Sequence, residues 1–325
     1  MTSYLLYISA FLISLILTVV IEAKLIPFLK RSAQQPIYEG GPAWHLSKSG
    51  TPTMGGIAFL IAISLSIILA SAVLFVQNKN YQAISISITL LFAVGNSFIG
   101  IFDDLTKLRK KENAGLTPGQ KLGLQTILAV LFLIAREHFF SDGTQIKLFS
   151  HEINLGIFYY VLAILLLLGM INFANLTDGI DGLASSVAVT VGIVFFVISC
   201  QNGDASATVS AALVGGAVGF LFFNNHPAKI FMGDTGSLFL GALSVGIAFS
   251  INNPLIIIPI GAVYVIEGAS VILQVLFYKA TKKRLFKMAP LHHHMERCGL
   301  NENKICLIGV LTTLVFSAIL FLLRG

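Results

Sequence analysis

The stretch AISISITLLFAVGNSFIGIFDD, residues 83–104, decides how the rest of the chain is read. From Ala83 to Phe102 no residue carries a charge, and the run is long enough to cross a bilayer as a helix, which takes about 20 apolar residues. Two carboxylates then arrive side by side, Asp103 and Asp104. Adjacent carboxylates repel and resist ionising together unless a cation holds them. At the edge of hydrocarbon such a pair is costly and marks a functional site. The plain alternative is a polar stop at a helix end, which accounts for one Asp more readily than for two.

The whole chain repeats this pattern. Of 325 residues, 56% are hydrophobic and 11% charged, with a mean hydropathy of +0.86. Soluble domains carry about 25% charged residues, so the composition predicts an all-α polytopic membrane protein forming one domain over residues 1–325. The net charge of +6 is then a matter of membrane topology and not a nucleic-acid footprint. Cys200, Cys298 and Cys306 share no metal-ligand or redox spacing and read as free thiols or packing residues.

Apolar runs at Leu5–Leu29, Met54–Val76, Ala83–Phe102, Leu122–Ala135, Leu155–Ile171, Leu183–Cys200, Ala207–Phe223, Leu238–Ile251, Leu255–Phe277 and Ile305–Leu323 predict about ten transmembrane helices. Leu122–Ala135 and Leu238–Ile251 are the shortest. The first basic residues follow the first apolar run instead of preceding it, which predicts a retained anchor with its N-terminus outside. With that orientation seventeen of the 21 basic residues fall on the inner side: Lys24, Lys30, Arg31, Lys48, Lys107, Arg109, Lys110, Lys111, Lys121, Lys229, Lys279, Lys282, Lys283, Arg284, Lys287, Arg297 and Lys304. This bias predicts both termini outside and the chemistry on the cytoplasmic face. Outer connections are short, apart from His138–Asn154, which suggests a short hairpin. Gly215-Gly216-Ala217-Val218-Gly219 reads as a close helix contact.

The inner loops hold the polar clusters. Lys48-Ser49-Gly50-Thr51-Pro52-Thr53-Met54-Gly55-Gly56 offers backbone amides, Thr hydroxyls and a point charge, which suit phosphate as well as an ordinary turn. Asn172 through Gly182 (NFANLTDGIDG) sets Asn172 with Asn175, and Asp178 with Asp181, at i,i+3 spacing and with no basic residue among them. Such acids suit a divalent cation or the donors of a sugar or base. Asp234, in Phe231-Met232-Gly233-Asp234-Thr235-Gly236-Ser237, is either an N-cap or a ligand of a Mg²⁺ whose other ligands are substrate phosphates. Phe231 is placed to stack on a planar base, with Asn224, Asn225 and His226 just upstream. The last inner loop joins a basic run at Lys282–Lys287 to His292-His293-His294, which reads as phosphate hydrogen bonding in preference to a metal site, because three consecutive His cannot face one way on a helix. Glu267 and Gln274 share an inward helical face. The chain has no Walker A or dinucleotide-binding glycine pattern. Together the clusters fit phosphoryl transfer from a nucleotide-activated soluble donor to a lipid acceptor; a lipid-linked sugar transporter or flippase is the non-enzymatic alternative, although its ionisable groups belong near mid-membrane.

Thr51-Pro52-Thr53-Met54-Gly55-Gly56, Phe102-Asp103-Asp104, Asn175 through Gly182, Phe231 through Ser237 and Pro290-Leu291-His292-His293-His294 resemble, in order, the signature blocks of the polyprenyl-phosphate N-acetylhexosamine-1-phosphate transferases, in particular the phospho-N-acetylmuramoyl-pentapeptide transferase branch. Ile180 stands where Leu is more usual. The resemblance implies a Mg²⁺-dependent bacterial inner-membrane enzyme of peptidoglycan synthesis, dimeric, that moves phospho-MurNAc-pentapeptide from UDP-MurNAc-pentapeptide to undecaprenyl phosphate, giving lipid I and UMP. The branch using UDP-N-acetylglucosamine is the enzymatic alternative. By matching motif, Asp234 would hold Mg²⁺, with Asp103 and Asp104 as the acidic catalytic pair. Lys48, Asn175, Asp178 and Phe231 would surround the uridine, and Thr53 would be a further substrate-binding residue. Lys121, Asn224, Asp181, His293 and His294 would line the phosphate or sugar region, and Gln274 the substrate path in a bent ninth span. Two mechanisms stay open, direct attack by the lipid phosphate and a phospho-aspartyl intermediate. The first is expected, because a phosphate monoester with a second pKa of about 6 is already largely ionised.

Overall fold

The computed structural model describes residues 3–32, 48, 50–110, 114–141, 143–148 and 151–324; Ser49 and Lys111, used above, lie outside them, as does the side chain of Arg31. Its helices are α1 (Ser3–Ser32), α2 (Gly56–Val76), α3 (Asn80–Lys110), α4 (Pro118–Phe140), α5 (Phe158–Thr177), α6 (Leu183–Gln201), α7 (Ser206–Asn224), α8 (Gly233–Ser250), α9 (Ile257–Ile260), α10 (Ala262–Thr281), α11 (Leu291–Arg297) and α12 (Glu302–Arg324). Among the described residues one sheet pairs β1 (Gln145–Leu148) with β2 (His151–Asn154) antiparallel, Gln145 opposite Asn154, the hairpin expected within His138–Asn154.

All ten expected runs are helical, but they are not ten equivalent spans. Nine helices among the described residues are long and apolar enough to cross a membrane. The exception is α8, and the reason is its surroundings. It packs against α3 and α5 above all, and also against α2, α6 and α7. Every residue from Thr235 to Ser250 is buried. A helix that touches only protein needs small contact residues more than apolar bulk. Gly56 of α2 faces the Gly236 backbone so closely that a methyl group would overlap it, and Gly100 of α3 meets the Asp234 carbonyl in the same way.

The short fourth run grows into 23 residues because its start is well signalled. Thr117 and Gln120 form a reciprocal capping box, and Pro118 occupies the first turn. The ninth run is broken instead of merely bent. Pro254–Ile256 make a 3-10 turn, α9 follows, and Gly261 interrupts the helix before α10. Pro254 and Pro259 remove amide donors there, so continuous helix is disfavoured.

At the end of the bundle away from Asp103 and Asp104, Arg136 is buried and donates to Asn252 Oδ1 (3.0 Å) and Ser250 Oγ (3.4 Å), fixing α4 to the end of α8. Gly215 and Gly219 of α7 lie against the Phe11 and Leu15 carbonyls of α1, the close contact the small residues predict. At the opposite end the C-termini of α3 and α5 meet the N-termini of α4 and α8 through Asp103, Asn175, Lys121 and Asp234. The polar loops predicted to share one face do so.

Candidate active site

Asp103 and Asp104 are buried, so each carboxylate needs a compensating partner. The structure supplies two different ones. Asp103 Oδ2 forms an ion pair with Lys107 Nζ at 2.6 Å, one turn on in α3, with Lys121 Nζ of α4 at 3.5 Å, while Oδ1 accepts from Leu116 N at 2.8 Å. Asp104 turns to α8. Its Oδ1 accepts from Asp234 N (3.1 Å), and its Oδ2 from Thr235 N (2.9 Å) and Thr235 Oγ1 (2.7 Å). Asp104 therefore caps the N-terminus of α8 from another helix, where a carboxylate meets the favourable end of the dipole.

That settles the N-cap alternative for Asp234, whose side chain makes no cap bond. Asp234 Oδ2 accepts from Lys121 Nζ at 2.5 Å, with Lys107 Nζ at 3.2 Å, and Oδ1 accepts from Asn175 Nδ2 at 2.9 Å. Asn175 also donates to Ser237 Oγ (2.7 Å), one turn along α8. One oxygen from each of Asp103, Asp104 and Asp234 lies within 4.8 Å of the others.

The donor set fits Mg²⁺, which takes one or two carboxylates and completes its octahedron with water and phosphate oxygens. Two further observations support the fit. Among the described residues Thr53 Oγ1 is buried with no hydrogen-bonding partner. Gly233, in the left-handed region at φ +69, leaves room that a Cβ would fill, 2.6 Å from Asp104 Oδ2 and 3.0 Å from Thr53 Oγ1. Asp103, Asp104 and Asp234 would hold the ion.

Asp178 lies in the turn after α5, beside this cluster. Burial first, then the Asp234 and Asp104 charges, push its carboxyl well above the ordinary carboxylate range. Among the described residues its carboxylate has no hydrogen-bond donor.

Lys48 belongs to a second cluster, and here the structure regroups the predicted residues. Its Nζ lies 2.7 Å from both Asp181 Oδ1 and Glu302 Oε2. Asp181 Oδ2 also meets His226 Nδ1 (3.0 Å) and accepts from Ala228 N (3.0 Å), while Glu302 Oε2 accepts from Asp181 N (2.7 Å). Asn224 is spent on the same loops, accepting from Gly182 N and Ser185 Oγ and donating to the Ile230 carbonyl. Asp181 and Asn224 thus hold loops together, and Asn175 stands with Asp234 instead of Lys48. Phe231, half-buried, is fixed through its backbone to Pro52 and Gly55, just ahead of α8.

In the histidine run the buried member is His292, not His293 or His294. Its backbone N and ring Nδ1 both meet the Glu267 carboxylate (3.1 Å each), and its Nε2, which points at Gly179, has no partner among the described residues. His293 pairs with Glu296 at 2.7 Å, and His294 accepts from Lys287 N at 3.1 Å. Gln274 accepts from Phe286 N at 2.8 Å, so Glu267 and Gln274 both anchor the segment between α10 and α12.

Reading along the chain missed Lys107 and Glu302 as site residues. In the sequence Lys107 contributes to the inner positive bias, and its i,i+4 spacing from Asp103 is the signal that points to the site. Glu302 carried none, since its partners lie far away in sequence.

The fold and the site define a multi-pass membrane transferase: the model of glycosyl transferase family 4 matches residues 86–252, and the phospho-N-acetylmuramoyl-pentapeptide-transferase signature 1 matches residues 48–60. The chain is 42% identical over 314 residues to the phospho-N-acetylmuramoyl-pentapeptide-transferase of Clostridium perfringens (strain SM101 / Type A), covering 96% of this chain and 95% of the relative. The namesakes from Staphylococcus saprophyticus and Clostridium botulinum (strain Eklund 17B / Type B) are also 42% identical, over 94% and 97% of this chain and 96% and 95% of the relatives. The chain belongs to the phospho-N-acetylmuramoyl-pentapeptide-transferase family.

Proposed function

We propose that the chain transfers phospho-MurNAc-pentapeptide from UDP-MurNAc-pentapeptide to undecaprenyl phosphate, releasing UMP and leaving lipid I, in a bacterial inner membrane with the site facing the cytoplasm. The observation that carries this reading is the group of three carboxylates crossed by Lys107 and Lys121 at one end of a membrane bundle, in a chain of this family. Phosphoryl transfer needs little covalent help from protein; it needs alignment and charge neutralisation. Mg²⁺, held by Asp234 with Asp103 and Asp104, would supply that neutralisation at the diphosphate.

The chain's own groups do the rest. Lys107 and Lys121 supply two ammonium groups for phosphate oxygens, and Asn175 fixes the orientation of Asp234. Asp104 spends both oxygens on backbone and hydroxyl donors of α8. It therefore suits a positioning role better than that of a nucleophile. The lipid phosphate is already ionised near neutrality and attacks the donor β-phosphorus directly, with UMP leaving. Lys48 and Phe231 are the proposed nucleoside contacts, the ring stacking on the base.

Purified protein given Mg²⁺, undecaprenyl phosphate and each UDP-sugar separately should release UMP only with the MurNAc-pentapeptide donor. Release with UDP-N-acetylglucosamine alone would move the chain to the other branch, and none with either would favour a transporter. A phospho-aspartate trapped from donor without lipid would overturn direct attack.

A further inference from the structure

Six carboxylate oxygens form the acidic group, and their partners fall into two kinds. Asp103 Oδ1, Asp104 Oδ1, Asp104 Oδ2 and Asp234 Oδ1 are held by neutral donors: the backbone amides of Leu116, Asp234 and Thr235, the Thr235 hydroxyl and the Asn175 amide. Among the described residues, the cations meet the other two oxygens, Asp103 Oδ2 and Asp234 Oδ2. Lys107 Nζ stands 2.6 and 3.2 Å from these two oxygens, and Lys121 Nζ 3.5 and 2.5 Å. The neutral donors are mostly backbone and cannot leave. The ammonium groups ride on four-carbon stems and can.

A divalent cation using Asp103 Oδ2 and Asp234 Oδ2 must therefore displace both lysines, or sit within a few ångströms of two like charges. Displacement without a new partner strands two partly buried ammonium groups, each side chain less than one-fifth exposed. A diphosphate removes that penalty, because its oxygens accept both ammonium groups as the cation arrives. We infer that Lys107 and Lys121 are place-holding cations that couple divalent-metal binding to diphosphate binding, so that metal and nucleotide donor load together and neither binds tightly alone. This deepens the transferase reading and rests on it. Thermodynamic reciprocity makes the coupling the same in both directions.

The test is equilibrium binding of Mn²⁺ to the purified full chain, followed by the electron paramagnetic resonance of the free ion, with and without UDP. UDP is expected to tighten Mn²⁺ by at least about tenfold, within the usual range for coupled sites. Lys107→Met should tighten Mn²⁺ binding in the absence of UDP and shrink the UDP effect; a merely structural lysine would do neither. Lys121→Gln gives the same reading if Lys107→Met fails to fold. Equal Mn²⁺ affinity with and without UDP, both ligands binding, overturns the coupling while leaving the transferase reading intact. UDP that fails to bind at any Mn²⁺ concentration overturns the transferase reading and the coupling with it. Unchanged Mn²⁺ affinity in both lysine variants also overturns the coupling.

Discussion

The two neighbouring aspartates do different work, and substitutions should separate them. Asp104→Ala strands the buried amides at the start of α8, and is expected to cost about 1–3 kcal/mol in thermal unfolding. Asp103→Asn keeps an acceptor for Leu116 N and should cost less stability while still abolishing turnover. Equal destabilisation by the two would contradict the capping role of Asp104. Asp234→Asn should end turnover at every Mg²⁺ concentration with the α8 cap intact; wild-type rates would remove it from the metal site. Asp178 predicts a pH effect. Its folded-state pKa is raised, so the native chain keeps a proton that the unfolded chain releases above about pH 4. Stability contributed by that protonated carboxyl is therefore lost as pH rises from that point toward the raised value. Thermal unfolding of metal-free Asp178→Asn across this interval should show a flatter pH slope than the unsubstituted chain; identical slopes would exclude the group.

Among elements, α8 shows how position overrides composition. It opens with Gly-Asp-Thr-Gly-Ser, too polar for a lipid-facing span, and it is the most enclosed helix of the bundle. Enclosure also makes it accurate, since α3 both caps it and touches its first turn at Gly100. Gly100→Ala drives a methyl into the Asp234 carbonyl and should cost about 1–3 kcal/mol. Activity should fall further than that stability loss explains, because Asp234 moves with the helix. Kinetics measured well below the melting temperature check this, and normal kcat in a folded variant would mean that α3 and α8 separate without harm. The broken ninth run was legible differently: Pro254, Pro259 and Gly261 are printed in the chain, but an apolar run of this length still reads as one span.

For the molecule as a whole, the second cluster is the fastening. Lys48, Asp181, His226 and Glu302 bring together the loop before α2, the loops after α5 and α7, and the start of α12. Removing one of Lys48, Asp181 and Glu302 leaves buried charge without its partner, a costly outcome. Glu302→Gln is expected to lower the melting temperature by several degrees and weaken UDP binding through Lys48. An unchanged melting temperature would show that the loops hold without it.

The sequence by itself determined the class, the number of membrane-capable helices to within one, and that the polar clusters gather at one end of the bundle. Apolar runs and charge bias are local properties, and a bilayer acts on them locally. Only the tertiary structure decided partnership: that Asp104 caps α8 while Asp103 meets two lysines, that Lys107 belongs to the site, that Lys48 and Asn175 stand in different clusters, and that His292 is the buried histidine. Each of these is a contact between residues far apart in the chain. Its energy depends on distance and on exclusion of water, neither of which a linear pattern records.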